Sequence, residues 1–163
     1  MPFLAGQTLT AQDLNDVTDP PLAYLRQVVA QPIPATAFTA VTFTAEDLDS
    51  HNGHSTTTNT SRYVCMRAGV YEVAGGVAFA PNTTGYRIPA IARNGTIIPG
   101  SRVNALALPS GVVASIAART IKVRLALGDY VELLAYQDSG GALNTDVSDV
   151  GMQSTMSVRY DAP

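Results

Sequence analysis

From residue 69 onward, apolar and polar positions alternate with a period of two, the mark of strands that bury one face. In "GVYEVAGGVAFA" the residues Tyr71, Val73, Val77 and Phe79 share one parity, and Glu72 shares the other with small residues. Gly75 and Gly76 in the middle of that run predict a bulge or a close approach by a neighbour. "YRIPAIARNGTIIPG" contains Asn94-Gly95, a strong hairpin signal, with Ile88, Ala90 and Ala92 on one side of the first arm. "TIKVRLALGDYVELLAYQ" puts Ile121, Val123 and Leu125 inward and Lys122 and Arg124 outward, then turns at Gly128-Asp129. "QSTMSVRY" places Met156, Val158 and Tyr160 on one face. Short strands with regular turn signals and no later helix predict an all-β chain, a jelly-roll β-sandwich. Between "AFTAVTF" and these strands, "TAEDLDSHNGHSTTTNTS" reads as a polar surface loop with at most one irregular edge strand.

One strand departs from alternation. In "YVELLAYQ" the residues Val131, Leu133 and Ala135 form one face, while Tyr130, Leu134 and Tyr136 form the other, interrupted only by Glu132. Apolar character on both faces means that the outer face is covered too. With no spare helix in the chain, the simplest cover is a second copy, so Tyr130, Leu134 and Tyr136 are the candidate residues of a subunit interface.

Residues 1–36 read differently and are assigned to an N-terminal anchoring arm, leaving 37–163 as the head domain. "LTAQDLNDVTDPP" predicts one short helix. Thr10 is a good N-cap, Asp13 reaches back three positions later, and Leu9 and Leu14 make a hydrophobic staple. Leu14 and Val17 supply about one turn of apolar face, and Pro20 and Pro21 stop the helix. Two turns are well below the ~12–15 residues that an isolated helix needs in water. The peg therefore packs on something, either its own domain or another subunit. Leu22, Leu25, Val28 and Val29 follow as apolar stations on an extended segment broken by Pro32 and Pro34.

Composition narrows the functions. Charged residues make up 14% of the 163, the net charge is −3, and no basic run exists, which argues against nucleic-acid binding. Nine arginines stand against the single Lys122, a coding bias of GC-rich genomes. Cys65 is the only cysteine and sits in a strand-like run, so a buried, inert thiol is expected. The opening has no positive leader, and no window approaches the ~18 apolar residues of a membrane helix, so a soluble chain without membrane insertion is expected. His51 and His54, with Asp47 and Asp49 nearby, could ligate a metal. No third strong ligand has a motif spacing, and a solvated loop is the preferred reading. No nucleophile elbow supports a Ser–His–Asp site, and "QDSGGALNTD" lacks the lysine and helix of a phosphate loop. The expectation is no enzyme, no cofactor and no metal. Glycosylation-type triplets at Asn59, Asn82 and Asn94 are read as chance. Carbohydrate contact through exposed Asn, Asp and Tyr stays open.

Two phrases carry a family likeness over roughly residues 37–160. "AGVYEVAGGVAFA" resembles the Gly-x-Tyr-x-aromatic strand in the globular head of complement component one, subunit q. Gly69 and Tyr71 match, and Val73 replaces the aromatic. "LALGDYVELLAY" is similar to that family's Leu-x-x-Gly-Asp-x-Val-x-Leu segment through Leu125, Gly128, Asp129, Val131 and Leu133. "QSTMSVRY" is similar to its last strand, without the glycine after the serine. The resemblance implies a ten-strand jelly roll shared with tumour-necrosis-factor-like proteins, forming a compact homotrimer with ligand-binding loops at one end. That family's calcium sites have no residue-by-residue match.

"MPFLAGQTLTAQDLN" resembles openings of bacteriophage virion proteins, where an "AG-x-x-LTA-x-x-LN" phrase begins tail and fibre subunits. With the arginine bias, this implies an actinobacteriophage structural protein, assembled in the host cytoplasm and located in the virion. Its partners are then other virion proteins, at the tail, the baseplate or the capsid, with host-surface carbohydrate a further candidate. Three readings follow. The chain is a trimeric tail appendage held by its arm, a trimeric capsid decoration protein, or a secreted complement-like binding module. The short distance between arm and head keeps decoration in contention.

Overall fold

The computed structural model describes Gly6, Thr8, Thr10, Ala11 and residues 18–108 and 112–163. The strands in chain order are β1 Leu22–Arg26, β2 Pro32–Ile33, β3 Thr39–Ala40, β4 Ala45–Asp49, β5 Arg62–Val64, β6 Gly69–Phe79 and β7 Tyr86–Arg93. They continue as β8 Thr96–Ile97, β9 Ala105–Leu106, β10 Ala114–Ala117, β11 Ile121–Leu125, β12 Tyr130–Gln137, β13 Leu143–Asn144 and β14 Thr155–Ala162. One 3-10 turn, Val150–Met152, is capped by the Asp149 carboxylate, which accepts from the Gly151 N–H.

Two antiparallel sheets form the sandwich. The first runs β10-β6-β14-β1-β4, with β11 pairing the other half of β6, so β10 and β11 act as two halves of one edge strand. The second runs β3-β12-β7-β8, with β5 on β12 and β9 on β7. A short β13–β2 ladder stands apart from both. The core between the sheets takes the parities that the sequence predicts. Tyr71, Val73, Val77 and Phe79 face Val131, Leu133 and Ala135, with Met156, Val158 and Tyr160 beside them, all buried. Gly75 is a close approach: a Cβ there would meet the Thr155 carbonyl at 2.8 Å and the Leu133 side chain at 3.2 Å. Asn94 and Gly95 take φ of 50° and 77°, the two positive values that a tight β7–β8 hairpin requires. Cys65 is free and buried, its thiol 3.0 Å from the Arg67 carbonyl, an acceptor shared with the Tyr71 hydroxyl.

The boundary at residue 36 is corrected. β1 lies inside the first sheet, paired with β14 through Ala23↔Val158 and Leu25↔Met156 and with β4 on its other side. Ala23 and Leu25 are fully buried in the core, and Ile33 of β2 joins them. "LAYLR" alternates like any half-buried strand, so Leu22 and Leu25 belong to the sandwich and not to an arm. Leu9, Leu14 and Val17 of the predicted peg lie outside the described residues.

One end of the sandwich is closed by polar groups. Arg87 is buried, and its guanidinium donates to the Thr84 and Tyr86 carbonyls at 2.9 and 3.0 Å and to the Asn82 side-chain oxygen at 3.0 Å. Burial pulls its pKa down, and Asp138 opposes that pull. Gln137, its cross-strand partner, donates to the Ile33 and Gly141 carbonyls. Backbone acceptors thus hold a charge that would otherwise be too costly to bury.

Candidate functional site

Three surfaces have the chemistry to bind something. The first is the outward face of β12. Tyr130, Glu132, Leu134 and Tyr136 do face outward there, beside Ile88, Ala90 and Ala92 of β7. A second copy was the simplest cover expected for them; within the chain itself, Leu134 and Glu132 are already buried and Tyr130 and Tyr136 are half-buried. Leu134 is 8% exposed and packs with Ala90 and Ala92 against Phe38, Ala40 and Ile97. The Phe38 ring lies 5.1 Å from that of Tyr136, with the Arg102 guanidinium 5.0 Å above Phe38. The Arg62 guanidinium lies 4.1 Å over Tyr130 and donates to Glu132 at 3.2 Å. Glu132 also accepts from Ser61 at 2.8 Å. Cation–π lids and a neighbouring strand thus supply cover that was expected from a second copy. Exposed apolar surface on this sheet is found instead at Tyr86 and Leu106, cross-strand partners that are 47% and 70% exposed.

The second surface is the outward face of the first sheet, which the sequence did not single out. Tyr24 and Leu48 are cross-strand partners, 40% and 42% exposed. Tyr24, with Leu48 as its neighbour on β4, lines a concavity of about 400 Å³ together with Ala74, Gly76, Ala117, Ser157 and Val150. At its side Arg26 grips Asp47 through two hydrogen bonds of 2.6 and 2.7 Å, which hold the Asp47 carboxyl below its ordinary range and raise the guanidinium. Along the same sheet Lys122 donates to Asp161 at 2.7 Å and depresses that carboxyl. The available signal was the parity of Tyr24, opposite to that of buried Ala23 and Leu25.

The third surface is the loop at 50–61, expected to be wholly solvated. His54 corrects that. Its side chain is buried, with Nδ1 2.8 Å from the Arg62 carbonyl and Nε2 3.1 Å from the Phe43 carbonyl. Asp49 accepts from the Gly53 and His54 N–H groups at 3.1 and 2.8 Å. His51 stays partly exposed, with Nδ1 2.9 Å from the Ser50 hydroxyl. Among the described residues no three His, Cys, Asp or Glu side chains converge as metal ligands. No helix among them is long and apolar enough to cross a membrane.

No family model matches the chain, and no curated protein matches it significantly. Solved structures do match. The globular domain of zebrafish complement 1qA protein aligns with a TM-score of 0.61 at 12% identity, covering 87% of this chain and 97% of that one. A crystal structure of murine APRIL aligns with a TM-score of 0.65 at 14% identity, covering 88% of this chain and all of that one. The fold is the complement and TNF-like jelly roll. The likeness spans almost the whole of both relatives.

Proposed function

We propose that this chain is a non-catalytic virion structural protein whose jelly-roll heads close into a homotrimer, attached to the particle by the residues ahead of Pro21. One observation supports the assembly above others: each sheet carries an exposed apolar cross-strand pair, and the two pairs are unlike. One is the Tyr24–Leu48 groove on the first sheet, lined by small residues. The other is the Tyr86–Leu106 ridge on the second. A two-fold dimer matches one patch to itself, whereas a ring matches two different patches head to tail and needs no residual exposure once closed. Three-fold closure is what the family resemblance implies.

The jelly roll serves a secreted binding module equally well. The particle assignment rests on the opening "AG-x-x-LTA-x-x-LN" phrase, with Leu9, Leu14 and Val17 as its anchoring residues. Sedimentation tests the assembly: the intact chain should run as a trimer at micromolar concentration. Ala74→Arg, which fills the groove without touching the core, should yield a folded monomer. A wild-type monomer, or an Ala74→Arg trimer, would overturn the assembly. Imaging particles labelled on the head places it on tail or capsid, and labelled protein that never joins a particle removes the virion reading.

A further inference from the structure

A concavity of about 470 Å³ opens between the loop at 52–59 and the starts of β5 and β12, within the ~300–1,000 Å³ of ligand clefts. Its walls are fixed from inside. His54 reaches two carbonyls, Asp49 holds two N–H groups, and the Val64 N–H donates to the Gly53 carbonyl at 2.7 Å. Gly53 is pressed against the Tyr63 ring, where a Cβ would come within 2.5 Å. Asn52 and Asn59 take φ of 53° and 50°, left-handed backbone that asparagine tolerates best after glycine.

A loop pinned so firmly nevertheless displays polar groups that it does not use. The side-chain amides of Asn52 and Asn59 and the Thr58 hydroxyl line the concavity, and none makes a hydrogen bond within the described residues. Arg62 is clamped between Tyr130 and Glu132 through its ring contact and its Nε, which leaves both terminal nitrogens without an acceptor. Met66, 46% exposed, and the edge of Tyr130 add apolar surface.

The charges select the ligand. Glu132 already balances Arg62, so an anion entering here would meet a neutralised guanidinium. No free carboxylate lines the concavity to attract a cation. A purely apolar ligand would strip water from the amides without replacing its hydrogen bonds. What fits is a neutral molecule dense in hydroxyl groups, with a weakly apolar face for Tyr130 and Met66. We infer that this concavity binds a neutral saccharide, with Asn52, Asn59 and Arg62 as its hydrogen-bonding residues.

The inference deepens the proposed reading by giving the head of the virion protein a ligand, and its test is independent of assembly. The full-length chain is applied to an array of neutral and sialylated oligosaccharides, with free neutral monosaccharides as a competing arm. Retention on neutral glycans is expected. The Asn52→Gly/Asn59→Gly variant, which removes both amides and keeps the left-handed backbone unstrained, should bind about tenfold more weakly, the loss of one or two hydrogen bonds. Melting temperature and sedimentation should be unchanged, and Asn104→Ala should bind as wild type. Competition by free monosaccharides identifies the single sugar as the recognised unit. Its absence, with retention kept, assigns recognition to the longer surface glycan. No retention, retention confined to sialylated glycans, or binding indifferent to the double substitution would each overturn the inference. None of these results would alter the sedimentation test of the trimer.

Discussion

Replacing His54 by alanine should destabilise the head, although it sits in the most polar stretch of the chain. The imidazole is buried between the Arg62 and Phe43 carbonyls at 2.8 and 3.1 Å. A neutral ring donates to only one of them at a time, so at least one full hydrogen bond is at stake. Removing the donor forfeits roughly 1 kcal/mol of net bond and leaves a buried acceptor whose desolvation costs about 1–3 kcal/mol. The ring also packs edge-on to Phe43, with centroids 6.4 Å apart, and its loss opens a small cavity. The sum is about 2–4 kcal/mol, or a fall in Tm of about 5–15 °C for a chain of this length. Thermal melting followed by circular dichroism reads it directly. His54→Gln, which can still reach one carbonyl, should recover part of the loss. His51→Ala, at a partly exposed ring, should stay within about 0.5 kcal/mol of wild type. If His54→Ala melts with the wild type, the ring does not anchor the loop, and the preformed walls of the proposed saccharide site lose their support.

Deleting residues 1–19 should leave a head that melts like the full chain, whereas deleting 1–34 removes β1 and β2 and should prevent folding; a folded product of the longer deletion would contradict the placement of Leu25 in the core. Thr36 holds φ at 61°, a costly value for a β-branched residue, so Thr36→Asn should raise stability by about 1 kcal/mol, read as a higher urea midpoint, and a lower midpoint would refute the strain. Three aspartates titrate lower in the folded than in the unfolded chain: Asp47 beside Arg26, Asp129 held by the Asn94 side chain and the Ala126 N–H, and Asp161 beside Lys122. Their stabilisation is present above the ordinary aspartate value near pH 3.9 and drains as pH falls below it through the folded values. Urea midpoints measured from neutral pH downward should show this acid limb, flattened in Asp129→Asn and by high salt; an unchanged limb in both would refute it.

Strands whose one face enters the core were legible, because only the correct parity buries Tyr71, Val73 and Phe79 together or Met156, Val158 and Tyr160 together. Hairpin chemistry at Asn94-Gly95 was legible because φ > 0 at both positions leaves few residue choices. β1 was not. Its two core residues, Ala23 and Leu25, are few, prolines stand on both sides, and its partner β14 lies at the far end of the chain, so no local signal reports the pairing. The cover over Leu134 was missed for a related reason. Phe38 and Arg62 lie in runs that read as strands, but nothing local in those runs or around Arg102 says which strand they cross, and only the folded sheet sets them over β12. His54 shows the converse error. A run rich in serine, threonine and asparagine is polar on average, yet one ring within it can be buried if backbone carbonyls receive it.

The self-covered β12 face changes where a subunit seam can form at least cost. Docking a second copy over Leu134 would displace the Arg62 and Arg102 lids, trading cation–π contacts and the Arg62–Glu132 pair for new apolar ones, and would strand Glu132 in an apolar seam. The Tyr24–Leu48 groove carries no such penalty. Its lining of Ala74, Gly76 and Ala117 admits side chains closely, and its neighbouring charges, Arg26 and Asp47, are already paired. Half-exposed side chains such as Tyr24 and Leu48 have only part of the ~1.5–3 kcal/mol of a full burial left to gain. One interface built from a few of them is therefore weak against the several kcal/mol lost on association. A closed ring of three changes the balance. Three interfaces form at the cost of two associations, the third appearing with no further loss of translational freedom. Modest apolar patches on unlike faces can therefore sustain a trimer where the same patches would not hold a dimer.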